Sequence, residues 1–396
     1  MDSPTGGALG GLRVLDVTQV MAGPYCTMIL ADLGADVVKV EPPRGDMTRR
    51  MPRAVGADTP AFNAVNRGKR SIVLDLKTPA GRDALLGLVQ SADIFIENSR
   101  PGVMEKLGLD YPTLAARNPR LIYASISGYG QTGPDRGKGG LDLIAQAVSG
   151  VMSVTGEADG PPAKAGVPLT DLGAGLFALT GILAALEYRH RSGVGQHVDA
   201  ALVDAGVALS VWEATEYFAG AGVPTPLGSA HRMVAPYQAF RCADGAVTVG
   251  ASTDVLFQRL CIALGHPEWS DMREFADNPS RVRHRAALAE CIEAVTRQRP
   301  RSHWLAAFEA GEIPCGPINS YAEVFADPQI VAREMVVSVD HPTLGTMRTL
   351  GSPIKLSATP ADVRRRAPHL GEHTEEVLRE AGFEGADLAA LTLKRS

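Results

Sequence analysis

A chain of 396 residues is long enough for two domains, and its 45% hydrophobic and 21% charged residues describe an ordinary folded protein rather than a disordered one. A formal net charge of −5 leaves no broad cationic surface for nucleic acid or anionic lipid, although basic residues can still gather around a small polyanion. Cys26, Cys242, Cys261, Cys291 and Cys315 lie far apart without CxxC spacing, which argues against a zinc ribbon or disulfide scaffold and fits a reducing, cytoplasmic setting. Met1 to Gly7 shows no basic-then-apolar leader, and no apolar run is read as long enough to span a membrane, so neither secretion nor membrane insertion is expected.

In chain order, Leu12 to Asp16 reads as a strand, Pro24 to Leu33 as a helix stopped by Gly34, and Asp36 to Val40 as the next strand, ended by Pro-Pro. Ser71 to Leu74, Ile94 to Glu97 and Leu121 to Ser125 read as further buried strands, with a helix over Ala80 to Gln90. Such strand–helix alternation implies an α/β fold, a parallel sheet covered by helices on both faces. A long apolar helix is expected from about Leu172 to His190, with Leu172, Leu176, Leu179, Leu183 and Leu186 on one stripe, and a second helix through Val203 to Phe218. Gly/Pro-rich sequence near Gly220 marks a linker, so residues 1–219 form the start of a large domain. Residues 220–330 form a smaller α+β domain with one strand pair, Tyr237 to Arg241 and Ala246 to Gly250. Residues 331–396 return to the large domain, with strand patterns at Val336 to Val339 and Thr346 to Leu350 and a closing helix over Thr374 to Ala381.

Three motifs invite chemistry that their context opposes. Gly128-Tyr-Gly-Gln-Thr-Gly133 matches a dinucleotide fingerprint, but Pro134-Asp-Arg-Gly follows where a helix would have to open toward the pyrophosphate, so a surface loop is preferred over an NAD site. His369-Leu-Gly-Glu-His373 matches an inverted zinc-protease motif, yet Pro368 and Gly371 oppose the continuous helix that two zinc-binding histidines need; no metal is expected. Cys315, in Ile-Pro-Cys-Gly-Pro, has no base beside it in sequence and reads as a packed thiol in a turn.

The informative segment is Val167-Pro-Leu-Thr-Asp171-Leu-Gly-Ala-Gly-Leu-Phe. A carboxylate stands at the start of an apolar helix, with Gly173 and Gly175 in the first turns. Each helical glycine costs about 1 kcal/mol relative to alanine, so two together point to a close approach of another group to the backbone. On this fragment alone, the plainer reading is Asp171 as a helix N-cap that suits the positive end of the helix dipole.

Together with Leu12-Arg-Val-Leu-Asp-Val-Thr-Gln-Val-Met-Ala-Gly-Pro-Tyr-Cys-Thr, that segment resembles the class III coenzyme A transferases, the formyl-CoA and carnitine CoA-transferase (CaiB/BaiF) family. Gly34 to Pro43, Asn66 to Lys77, Glu97 to Gly102, Ile313 to Ile318 and Leu370 to Thr374 extend the resemblance over nearly the whole chain. It implies a Rossmann-like large domain, an interlocked homodimer, and Asp171 as the nucleophile of an acyl-CoA:carboxylate CoA-transferase. No cofactor is held permanently; the coenzyme A thioester and the free carboxylic acid are substrates. The resemblance lays the coenzyme along Val20, Met21, Ala22, Leu74, Lys77, Asn98, Arg100 and Lys106, with the two lysines toward phosphates and Leu74 on the adenine. Met21, Pro42 and Ser99 depart from the polar, basic and aromatic coenzyme contacts of formyl-CoA transferases, so formyl/oxalyl specificity is not expected. The stretch Gly228 to Phe240 looks like members that handle dicarboxylic acids such as succinate, with His231 or Arg232 facing the distal carboxylate.

Two other activities share the expectation. α-Methylacyl-CoA racemases have the same fold and abstract a proton with a histidine followed by an aspartate. This chain has Gly140-Leu141-Asp142 at the matching place, which favours transfer. A non-catalytic CoA-binding protein would keep the cationic loop without requiring Asp171.

Overall fold

In a computed structural model that describes residues 6–52, 59–342, 345–363 and 365–392, six strands form one parallel sheet. They are β1 (Arg13–Asp16), β2 (Asp36–Glu41), β3 (Arg70–Val73), β4 (Ile94–Glu97), β5 (Ile122–Ser127) and β6 (His197–Ala201), in the order β3-β2-β1-β4-β5-β6. Because side chains alternate along a strand, neighbours feed opposite cores. Val14, Val37, Ile94 and Ile96 pack with the helices Ala22–Asp32 and Leu169–Ser192. Leu15, Val38 and Phe95 pack with Pro79–Val89 and Thr374–Glu380. The first five residues, on which the leader reading partly rested, lie outside the described ones.

β6 was not anticipated. His-Val-Asp-Ala-Ala has no apolar run, but its pairing with β5 from Tyr123↔His197 to Ser127↔Ala201 supplies the order that hydrophobicity does not. The helix expected over Val203 to Phe218 is two, Leu202–Leu209 and Val211–Phe218, broken at Ser210, whose ψ of 34 departs from helical values.

The long helix runs Leu169–Ser192 rather than from Leu172, and its buried face is not the leucine stripe. Ala174, Gly175, Ala178, Ile182 and Ala185 face inward with Leu179 and Leu186, whereas Leu176 and Leu183 are exposed. Small residues let neighbouring elements close in: a Cβ on Gly175 would stand 2.7 Å from the carbonyl oxygen of Ala22. By length and composition this helix suffices to cross a membrane, which corrects the sequence reading; half of its most apolar window is buried within the protein as a core helix.

β3 is an edge strand whose free amides are covered from the far end of the chain. Ser71 N donates to His373 Nδ1 at 3.2 Å and Val73 N to Thr374 Oγ1 at 3.1 Å. Arg70 adds ion pairs to Asp36, Glu376 and Glu380. His369 and His373 therefore share no helix face, since the helix begins at Thr374.

The chain divides into two units: Met1–Val151, Lys164–Ala221 and Pro328–Ser396 form the larger, and Met152–Ala163 with Gly222–Asp327 the smaller. The larger also holds an antiparallel pair, β10 (Val336–His341) with β11 (Gly345–Leu350). In the smaller, β7 (Tyr237–Cys242), β8 (Gly245–Gly250) and β9 (Cys315–Pro317) make an antiparallel sheet over a core that includes Phe240, Phe257, Leu260, Trp304 and Phe308. The expected strand pair is thus three strands. Cys315 lies in β9 rather than in a turn, because its prolines fall where a short edge strand accommodates them.

Candidate active site

In open α/β sheets, ligands bind beyond the carboxyl ends of the strands where the strand order reverses. Here that point lies between β1 and β4, neighbours in space though not in sequence. Asn98, just past β4, accepts from Gln19 N at 2.8 Å and donates to Gln19 O at 2.7 Å, clamping the loop after β1. Val20 takes a left-handed φ of 71°, its amide turned toward the buried carboxylate of Asp46 at 3.3 Å. Met21 then stands at the N-cap of the helix that opens with buried Ala22.

A buried polar network fixes this loop from beneath. Asp16 accepts from Thr18 N and from Lys69 Nζ, both at 2.9 Å, and from Thr27 Oγ1 at 2.7 Å. Lys39 Nζ donates to Thr18 O at 2.8 Å and pairs with Asp46 at 3.0 Å. Burial pushes the Asp16 carboxyl up, but Lys69, Lys39 and the two hydroxyls outweigh it and hold the group well below the usual carboxylate range.

Beside the loop opens a cavity of about 390 Å³ whose lining is mainly apolar. It brings Leu74, Lys77 and Lys106 together with Gln19, Pro42 and Ser99. Leu74 is buried, while Lys77 and Lys106 are exposed at the rim. The exposed Arg100 lies against the backbone of Gly139. No helix opens in the glycine-rich segment after β5: it remains irregular until Asp142, where the helix Asp142–Val148 begins.

Asp171 lies in the first turn of the long helix, not at its N-cap, which is Pro168, and caps nothing. Its side chain is half-buried yet takes part in no hydrogen bond or ion pair among the described residues. Burial, joined by the negative charge of Asp142, pushes its pKa up to about 6. Asp142 itself is well held: Thr170 N donates to Oδ1 at 3.0 Å, Thr170 Oγ1 to the same oxygen at 2.8 Å, and Gln146 Nε2 to Oδ2 at 2.7 Å. Sequence reasoning used Asp142 only to note a missing histidine and passed over Gln146. Their i,i+4 spacing puts both on one helix face and was available as a signal.

His231 and Arg232 lie in the smaller unit. Arg285 donates to the backbone oxygens of both at 2.8 Å, and Arg232 donates to Thr225 O at 2.7 Å. His231 Nδ1 accepts from Met233 N at 3.1 Å. Cys315 is half-buried, its thiol pushed up by burial, which makes it a poor nucleophile at neutral pH.

The profile of CoA-transferase family III matches residues 9–374. The chain is 44% identical to the succinyl-CoA:mesaconate CoA-transferase of Haloarcula marismortui, over 96% of this chain and 97% of that one. It is 42% identical to the succinate–glutarate CoA-transferase of Agrobacterium fabrum (94% and 95% covered) and 40% identical to the acetyl-CoA:oxalate CoA-transferase of Acetobacter aceti (94% and 96%). Among solved structures, a CaiB/BaiF family protein from Brucella suis superposes with a TM-score of 0.86 at 40% identity, covering 95% of this chain and all of that one. With a profile match over residues 9–374, relatives of one chemistry and a shared fold, the protein belongs to CoA-transferase family III and is a CoA-transferase.

Proposed function

We propose that this enzyme moves coenzyme A between dicarboxylic acids of succinate type through a covalent intermediate on Asp171. The observation that carries the reading is the state of that carboxylate: half-buried, free of hydrogen bonds and ion pairs among the described residues, and raised in pKa by burial and by Asp142. It is ionised at pH 7 but poorly solvated, which makes it a better nucleophile than a carboxylate in water. Asp171 attacks the thioester carbonyl and releases CoA thiolate, leaving a mixed anhydride. The thiolate attacks the aspartyl carbonyl, expels the first acid as carboxylate and leaves an aspartyl-CoA thioester. The incoming carboxylate attacks that thioester, again releasing thiolate, which then takes the acyl group of the new acid and frees Asp171. One thioester is exchanged for another, so the ledger closes without ATP.

For the coenzyme we propose contacts along Val20, Met21, Ala22, Leu74, Lys77, Asn98, Arg100 and Lys106. The cavity shared by Leu74, Lys77 and Lys106 supports the assignment, with an apolar wall for the adenine and cations at the rim for phosphates. For the acid we propose that His231 or Arg232 pairs with the distal carboxylate. Arg285 supports this: it donates only to backbone oxygens and has no carboxylate partner among the described residues, so the positive charge beside Arg232 is left for a ligand. Succinate, mesaconate, glutarate and oxalate, named for the relatives, each carry two carboxylates; the acetyl donor named for one of them carries one. The five cysteines, none in a disulfide, support a cytoplasmic enzyme. Exposed Val211, Trp212, Tyr217 and Phe218 on the helix Val211–Phe218 support a homodimer that covers them.

The test is a mass measurement on protein mixed with succinyl-CoA. An adduct on the peptide that holds Asp171, absent in Asp171→Asn, is expected. An unmodified Asp171 peptide during full turnover overturns the reading.

A further inference from the structure

Among the described residues the Asp171 carboxylate has no hydrogen-bond or ion-pair partner, so its position is set by what holds the helix turn around it. Thr170, fully buried, is tied through both its amide and its hydroxyl to Asp142 Oδ1. The other oxygen of Asp142 accepts from Gln146 Nε2 at 2.7 Å. Gln146 Oε1 in turn accepts from Ala165 N at 2.8 Å, in the strand-less segment that leads into the helix. Gln146 is fully buried, and its amide is oriented unambiguously: one end takes a backbone N–H, the other gives a hydrogen to a carboxylate.

We infer that Gln146 is a positioning residue for transfer, holding Asp142 and the approach segment at Ala165 so that the Asp171 carboxylate keeps its attack geometry without spending a lone pair on a hydrogen bond. The inference rests on Asp171 as nucleophile. A carboxylate steered by direct hydrogen bonds would be stabilised as the anion and lose nucleophilicity. Steering it through the neighbouring turn avoids that loss, and a small misplacement of a reacting group is enough to cost tenfold or more in rate.

Two variants test it. Gln146→Met keeps the length and removes both bonds. Gln146→Glu keeps the acceptor for Ala165 N but turns an anion toward Asp142. Single-turnover formation of the Asp171 adduct, measured on folded protein, is expected to slow about tenfold in Gln146→Met and at least as much in Gln146→Glu, with the KM for succinyl-CoA within about twofold of wild type. A rate within twofold of wild type in either variant overturns the inference, as does a loss expressed in KM alone. Should the methionine variant not fold, the glutamate variant decides by the same criteria. Wild-type protein that turns over without an adduct at residue 171 fails the underlying reading instead, so the two failures are told apart.

Discussion

Two carboxylates, buried Asp16 at the end of β1 and half-buried Asp171 at the start of the long helix, began from the same chemistry and ended in opposite states. Asp16 is enclosed by Lys69, Lys39 and two threonine hydroxyls, which hold it ionised below its ordinary range. Asp171 is half-buried, has no hydrogen-bond or ion-pair partner among the described residues, and has its pKa pushed up to about 6 by burial and by a neighbouring acid. Burial is common to both; what separates them is whether opposite charge and donors were buried as well. A compensated carboxylate holds a loop in shape, and an uncompensated one is available to react.

Removing each charge should sharpen that contrast. The largest effect is expected in Asp171→Asn, whose transfer rate should fall by at least ~10⁴-fold, measured as exchange of coenzyme between two acids. The fold should survive and gain. A carboxyl whose folded pKa is raised binds protons more readily folded than unfolded, so its contribution to stability falls as pH rises from 3.8 toward about 6. Above that window the anion destabilises the native state by at most about 3 kcal/mol, less for a partly exposed group, and thermal melting at pH 7.5 should show the asparagine variant melting higher than wild type.

Asp16→Asn should do the reverse. It leaves Lys69 buried without its counter-ion, a defect that costs about 3–5 kcal/mol, visible as a lowered denaturant midpoint. A variant that melts like wild type would break the comparison, since Asp16 would then be no structural charge.

A smaller effect is expected at Asp142. Its negative charge makes ionisation of Asp171 harder, so Asp142→Asn should move the acid limb of kcat/KM to lower pH by roughly half a unit to one unit. The same change faces a second N–H group toward Gln146 Nε2, so the plateau should drop as well. An acid limb that stays in place would assign it to a group other than Asp171. The smallest change is expected in Arg232→Ala: a several-fold rise in the acceptor KM for succinate, with a lesser rise for butyrate, which has no distal carboxylate. Equal rises for both acids would remove Arg232 from acid recognition.

The parallel sheet was legible wherever hydrophobicity marked a strand, as at Ile94 to Glu97, and illegible where pairing alone made one, as at His197–Ala201. Asp171 stood out because two glycines beside a carboxylate are costly without a reason. The reason is geometric: Gly175 meets Ala22 O, and a Cβ on Gly173 would meet Leu209 at 3.0 Å. The N-cap reading of the isolated fragment fails because the helix starts earlier, at Leu169. Nothing in the local pattern of residues 165–171 signals that Gln146 reaches them. That contact spans 19 positions and depends on how the helix Asp142–Val148 docks, which sequence periodicity does not encode.

The meeting of Gly175 with the oxygen of Ala22 has one more consequence. Even the methyl group of alanine at position 175 would press on main chain that has no rotamer to yield, so the turn carrying the aspartate and the turn following the first strand are geared to each other. Within such a pair of gears, mutational drift in one loop is felt by the other. Substitutions outside this seam are therefore freer than substitutions between these two turns.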